Sequence, residues 1–147
     1  LGVFAPGLTE MFAQALRLLG TRRAFVVHGH DGLDEISICA PTRVSELQDG
    51  MIRTYDVTPE QLLGRSADPR ELQGGDPAIN AEIARRIFAG EKGPRRDVVV
   101  VNAGAALVAA GAARDFGDGI RMAEASIDQG DAGGKLESLV QFTRENG

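Results

Sequence analysis

"AFVVHGHDGLDEI", residues 24–36, changes chemistry halfway along. Ala24-Phe25-Val26-Val27 is short, apolar and partly β-branched, so it reads as a buried strand. His28 to Ile36 then packs two histidines, three acids and two glycines into nine residues. Immediately upstream, "PGLTEMFAQALRLLG" (residues 6–20) reads as a helix. Leu8, Met11, Phe12, Ala15, Leu16 and Leu19 recur at helical spacing, and Gly20 stands where a C-terminal glycine cap would. A helix running into a buried strand is half of an α/β unit, and that decides the fold class.

Downstream, Ile36 and Ile38 suggest a short strand stopping before Pro41. Val44, Leu47, Ile52, Tyr55 and Val57 flank Asp49-Gly50, a strong hairpin signal, which predicts two antiparallel strands at the edge of the sheet. Residues 58–74 read as a loop with a short helical turn, punctuated by Pro59, Gly64, Pro69 and Gly74. A helix follows, with Asp76 as N-cap and Pro77 at its first position. Its expected apolar face is Ile79, Ile83, Ile87 and Phe88, and Gly90 ends it. "RRDVVVVNAGAALVAAG" (residues 95–111) opens like a strand but continues into Ala-rich sequence, so a buried helix is expected. Two more helices are expected near residues 117–129 and 133–145, the last with Leu136, Leu139, Val140 and Phe142 as its face.

The 147 residues are the length of one domain, and 43% are hydrophobic, enough for a core. The net charge of -5 argues against nucleic acid or an anionic membrane as the main partner. No apolar run approaches a membrane span, and no signal peptide is evident. Cys39 is the single cysteine, so no internal disulfide can form, and a cytoplasmic location is expected.

The polar stretch admits three readings. His28-x-His30 with Asp31 has metal-ligand spacing, but a zinc site needs further histidines and the chain has two in total. His28 reads better as a packed or hydrogen-bonded residue. Asp34 and Glu35, past a glycine-rich turn at the carboxyl end of a strand, offer hard oxygen ligands for Mg2+ shared with a phosphorylated ligand. A solvated polar turn is the third reading, because turns need Asp and Gly.

The ordered motifs narrow these readings. Leu1-Gly2-Val3, His28-Gly29-x-Asp31-Gly32-Leu33-Asp34-Glu35-Ile36-Ser37, Pro41-Thr42-Arg43-Val44, Gly74-Gly75-Asp76, Asn80-Ala81, Gly93-Pro94-Arg95-Arg96-Asp97, Asn102-Ala103-Gly104-Ala105-Ala106-Leu107 and Ser126-Ile127-Asp128-Gln129-Gly130 occur in sequence. Together they resemble the anthranilate phosphoribosyltransferase family over essentially the whole chain. The resemblance implies a partial nucleoside phosphorylase-like phosphoribosyltransferase fold: α/β, with a mostly parallel sheet, an antiparallel edge hairpin and flanking helices. It implies Mg2+-dependent transfer of phosphoribosyl from phosphoribosyl pyrophosphate to anthranilate, a step of tryptophan synthesis. It implies that Asp34 and Glu35 hold the Mg2+, with Gly29 and Gly32 letting the backbone turn beneath it. No catalytic residue is assigned. It further implies that residues 1–147 are the C-terminal portion of the α/β catalytic domain. On that expectation the Gly-Thr-Gly-Gly-Asp phosphate loop, the anthranilate-binding arginine and the helical dimerisation domain of a homodimeric parent lie upstream, and the chain alone is inactive. Cys39-Ala40 departs from the Thr-Gly common in the family at that place. The rival expectations are a non-catalytic relative that binds nucleic acid or a protein partner, and a pyrimidine nucleoside phosphorylase.

Overall fold

A computed structural model describes residues 1–147. The chain opens with α1 (Leu8–Leu18) and β1 (Arg23–Gly29), followed by β2 (Thr42–Gln48) and β3 (Met51–Val57). Next come a short α2 (Pro59–Leu63), a 3-10 turn (Pro69–Leu72), α3 (Pro77–Phe88), α4 (Pro94–Ala109), α5 (Phe116–Asp128) and α6 (Asp131–Asn146). The order is α/β, as the helix-into-strand reading requires.

The hairpin forms where Asp49-Gly50 placed it. Both residues take positive φ, 47° and 83°, which a two-residue hairpin turn demands and which Gly and Asp tolerate. The sheet, however, is antiparallel throughout in the order β1-β2-β3, with Val27 opposite Val44 and Leu47 opposite Ile52. This corrects the expectation of mostly parallel strands. Parallel neighbours need a crossover connection, and no helix lies between β1 and β3. Parallel pairing is confined to the Gly2–Val27 bridge, where Val3 N–H donates to Val27 C=O and Val27 N–H to Leu1 C=O. Ile36 and Ile38 form no strand either. They are among the most buried residues, at 1% exposure each, but sit in the loop joining β1 to β2.

Alternation along β1 gives the sheet two covered faces. Phe25 and Val27 join Val44, Val57, Ile36 and Ile38 in the main core with the buried sides of α4 and α5. Val26 faces the other way, into a small cluster with Val3 and Ala13 beneath α1. The inward face of α1 is therefore Thr9 and Ala13, with Leu8 and Leu16 partly buried. The larger residues assigned to it point outward: Met11 and Phe12 are exposed, and Leu19 is 81% exposed. Small inward residues let the helix sit close on the sheet, and Thr9 is held there by Ser45, whose hydroxyl donates to Thr9 Oγ1 at 2.9 Å.

Residues 95–109 are helical, as expected, and the helix ends just before Ala110 and Gly111. Val100, Val101, Ala105 and Val108 of α4 are buried. Asp76 caps α3 by accepting the Ile79 N–H at 2.9 Å. Only Ile87 of the expected α3 face is fully buried, and Ile79 is exposed. No residue of α6 is buried, and Leu139, Val140 and Phe142 lie in solvent. The α3 stripe is covered in part, since Ile83 and Phe88 pack against the main core beside Ile87, whereas the α6 stripe is left largely open.

Candidate functional site

Residues 30–41 leave the carboxyl end of β1 and return to β2, and a set of hydrogen bonds fixes their path. Gly29 N–H donates to Leu33 C=O at 2.7 Å, and Gly32 N–H donates back to Gly29 C=O at 2.9 Å. Gly32 takes a φ of 94°, where side chains are strained. Gly29 has ordinary φ but no room, since a Cβ there would lie 2.5 Å from Asp31 Oδ1 and 3.3 Å from Ser37 Cβ. The two glycines thus meet different needs in one turn.

Asp31 serves that turn. Its Oδ2 accepts from the Ser37 hydroxyl at 2.6 Å, and its Oδ1 from Leu33 N–H. Ser37 Oγ in turn accepts the N–H groups of Cys39 and Ala40, while Ser37 N–H donates to Thr42 Oγ1. His30 N–H closes the loop on Pro41 C=O. Cys39 lies at the edge of this network; burial first, then the carboxylates of Asp31, Asp68 and Glu71, pushes its thiol above the usual range, so it stays protonated.

His28 is buried, and its Nδ1 donates to Val3 C=O at 2.8 Å, tying β1 to the first residues of the chain. His30 is exposed, 3.7 Å from Asp56. The structure therefore gives the two histidines separate surroundings, and the first is committed to a backbone carbonyl.

Asp34 and Glu35 are both exposed, and neither carboxylate enters an ion pair or hydrogen bond within the chain. Their backbone is not free. The Asp34 carbonyl lies against Gly2, where a Cβ would fall 1.5 Å from its oxygen. The next residue, Ile36, is gripped by the Asn102 side chain of α4. Two adjacent carboxylates on a fixed backbone suit a hard divalent cation. Nowhere does the chain gather three or more His, Cys, Asp or Glu side chains able to hold a metal. Mg2+ needs no such cage: it binds through one or two carboxylates and takes its other oxygens from waters and substrate phosphates. The donor set fits that ion and does not fit zinc.

Sequence reasoning missed Gly2 and Asn102 as parts of this site. Both lie in recognised motif blocks, but their role depends on approaches across the fold that spacing does not reveal. An open groove of about 940 Å³ between α3 and α6 is lined by Ala84, Phe88, Leu136 and Val140 and by none of the predicted site residues.

A curated anthranilate phosphoribosyltransferase of Syntrophobacter fumaroxidans is 69% identical over 146 residues, and one of Desulfatibacillum aliphaticivorans is 65% identical over 147. The match takes in 99% and 100% of this chain but 43% and 44% of those proteins, so the chain spans under half of their length. Among solved structures, the anthranilate phosphoribosyltransferase of Thermus thermophilus superposes with a TM-score of 0.87 at 40% identity, over 97% of this chain and 42% of that one. The Saccharomyces cerevisiae enzyme in complex with PRPP and Mg superposes with a TM-score of 0.80 at 27% identity, over 92% of this chain and 40% of that one. No helix is long and apolar enough to cross a membrane. A family model, "Glycosyl transferase family, a/b domain", matches residues 1–133, and the chain belongs to that family.

Proposed function

We propose that this chain carries the magnesium-holding part of an enzyme, located in the cytoplasm, that transfers phosphoribosyl from phosphoribosyl pyrophosphate to anthranilate. The products are phosphoribosylanthranilate and pyrophosphate. The observation that carries the reading is the pair Asp34 and Glu35: exposed, unpaired carboxylates on a backbone the fold holds still. The names of its relatives, and the PRPP and Mg bound to one of them, support the substrate assignment.

In the reaction the bond between C1 of the ribose and the pyrophosphate oxygen breaks, and the electron pair leaves with pyrophosphate. The anthranilate nitrogen forms the new bond to C1 and loses a proton. A bound Mg2+ would offset the negative charge that gathers on the leaving oxygens. The chain's share is to hold that ion: Asp34 and Glu35 supply oxygen ligands, and Gly29 and Gly32 shape the turn that presents them. The main phosphate contacts, the binding of anthranilate and the pairing of protomers rest, in this reading, with the part of the longer relatives that this chain does not span, and the Mg2+-bridged contact to the pyrophosphate rests with this chain.

Titration of the chain with phosphoribosyl pyrophosphate, with and without Mg2+, tests the reading. Mg2+ should strengthen the binding at least tenfold, and Asp34→Asn with Glu35→Gln should remove that linkage, since each substitution deletes an anionic ligand. Binding of equal strength with and without Mg2+ would leave a scaffold without the metal function.

A further inference from the structure

Asn102 stands in the middle of α4, yet its side chain serves another segment. Its Oδ1 accepts the Ile36 N–H at 2.9 Å, and its Nδ2 donates to the Ile36 carbonyl at 3.0 Å. A third bond, from Nδ2 to Val98 C=O at 3.0 Å, fixes the orientation of the carboxamide one turn back along the helix. One amide thus takes both backbone groups of a residue 66 positions away. It stands in for the neighbouring strand that Ile36, an interior residue outside any sheet, lacks. The Ile36 side chain is itself only 1% exposed.

Ile36 directly follows Glu35. With its N–H, its carbonyl and its side chain all anchored, the two acids before it have a fixed departure point. At the other end of the pair, the Asp34 carbonyl rests on Gly2. The backbone of the acidic dipeptide is therefore held at the Asp34 carbonyl and again just past Glu35, while its carboxylates enter no hydrogen bond or ion pair within the chain.

We propose that Asn102 is a positioning residue for a divalent cation at Asp34 and Glu35, acting through the Ile36 backbone without touching the ion. The proposal rests on the magnesium reading above. A clamp of this kind lowers the ordering cost of binding, and removal of such outer partners weakens metal sites by roughly 10- to 100-fold. The carboxamide is specific to the task. An ionised aspartate in its place keeps the shape and one acceptor, but has no N–H for the carbonyls of Ile36 and Val98.

The test is Mn2+ titration of the 147-residue chain, followed by paramagnetic broadening of backbone amide signals and paired with hydrogen exchange at Ile36. In the unsubstituted chain, broadening should centre on Asp34 and Glu35 and vanish in the Asp34→Asn, Glu35→Gln double variant. Asn102→Ala should weaken Mn2+ binding about tenfold and speed exchange of the Ile36 amide. Asn102→Asp, which conserves packing, should do the same and decides the matter if the alanine variant does not fold. Val101→Ala, a core truncation on the same helix, should lower stability but leave the Mn2+ midpoint unchanged. Unchanged Mn2+ binding in folded Asn102 variants overturns the proposal. Equal weakening by Val101→Ala overturns it too, because general loosening would then suffice. If broadening in the unsubstituted chain does not centre on Asp34 and Glu35, the magnesium reading fails and this proposal falls with it, a result visible before any Asn102 variant is made.

Discussion

The Asp34 carbonyl occupies the space where a side chain on residue 2 would begin. Because the obstacle is backbone, it cannot swing aside as a flexible side chain would. Gly2→Ala should therefore force residues 1–3 and the acidic loop apart and destabilise the chain by about 1–3 kcal/mol, the usual cost of overpacking. Thermal unfolding checks this; an unchanged melting temperature would mean that the two segments separate freely. At this scale the legible features were local ones. Asp49-Gly50 announced a hairpin, and Asp76-Pro77 announced a helix start, because a turn or a cap is satisfied within a few residues. His28 could be set aside as a ligand because a single chain with two histidines cannot complete a zinc site. Asn102 could not be read that way. Nothing about an asparagine in an alanine-rich helix says that its amide serves residue 36.

Among the elements, α4 and α5 meet where each has a glycine. A Cβ on Gly119 would lie 2.4 Å from the Gly104 carbonyl oxygen, and one on Gly104 would lie 2.7 Å from the Ile120 nitrogen. The two helix backbones are in direct contact there, so no side chain fits between them. Gly119→Ala or Gly104→Ala should cost about 1–3 kcal/mol despite the better helix propensity of alanine, because the clash outweighs the roughly 1 kcal/mol that propensity returns. Equilibrium denaturation checks the sign: a stabilised variant would show that the helices can part without loss. The same packing logic explains α1. Its large apolar residues form a true amphipathic stripe, which normally marks the buried face. Here close approach to β1 and β2 selects Thr9 and Ala13 instead, and periodicity has no means of weighing contact distance against side-chain size.

For the whole molecule, one ion-pair cluster ties α5 back to the start of α4. Arg96, 2% exposed, donates to Asp128 Oδ1 at 2.7 Å, and Lys92 approaches the same carboxylate at 3.1 Å. The hydrogen bond from Arg96, then that from Lys92, lowers the Asp128 carboxyl from an ordinary 3.8 to about 2. A carboxyl depressed on folding adds stability above its unfolded value, and that stability is lost as pH falls through the folded value. The acid limb of unfolding should therefore steepen between pH 3.8 and about 2. Asp128→Asn should flatten this window and lower stability at neutral pH, because the near-buried Arg96 guanidinium then loses its counter-charge. Chemical denaturation at a series of pH values gives the answer, and an identical pH profile in the variant would remove Asp128 from the account. The α/β class was open to reading at this scale because helix and strand patterns follow one another along the chain. Strand direction was not. The connections joining the three long strands carry no crossover helix, and parallel pairing survives only at Gly2.

That short pairing has a reach out of proportion to its length. Leu1, Gly2 and Val3 border β1, accept the His28 hydrogen bond at the Val3 carbonyl and underlie Asp34. Residues 1–3 thereby brace three separate regions, so a disturbance in that short segment travels at once to the acids more than thirty positions later.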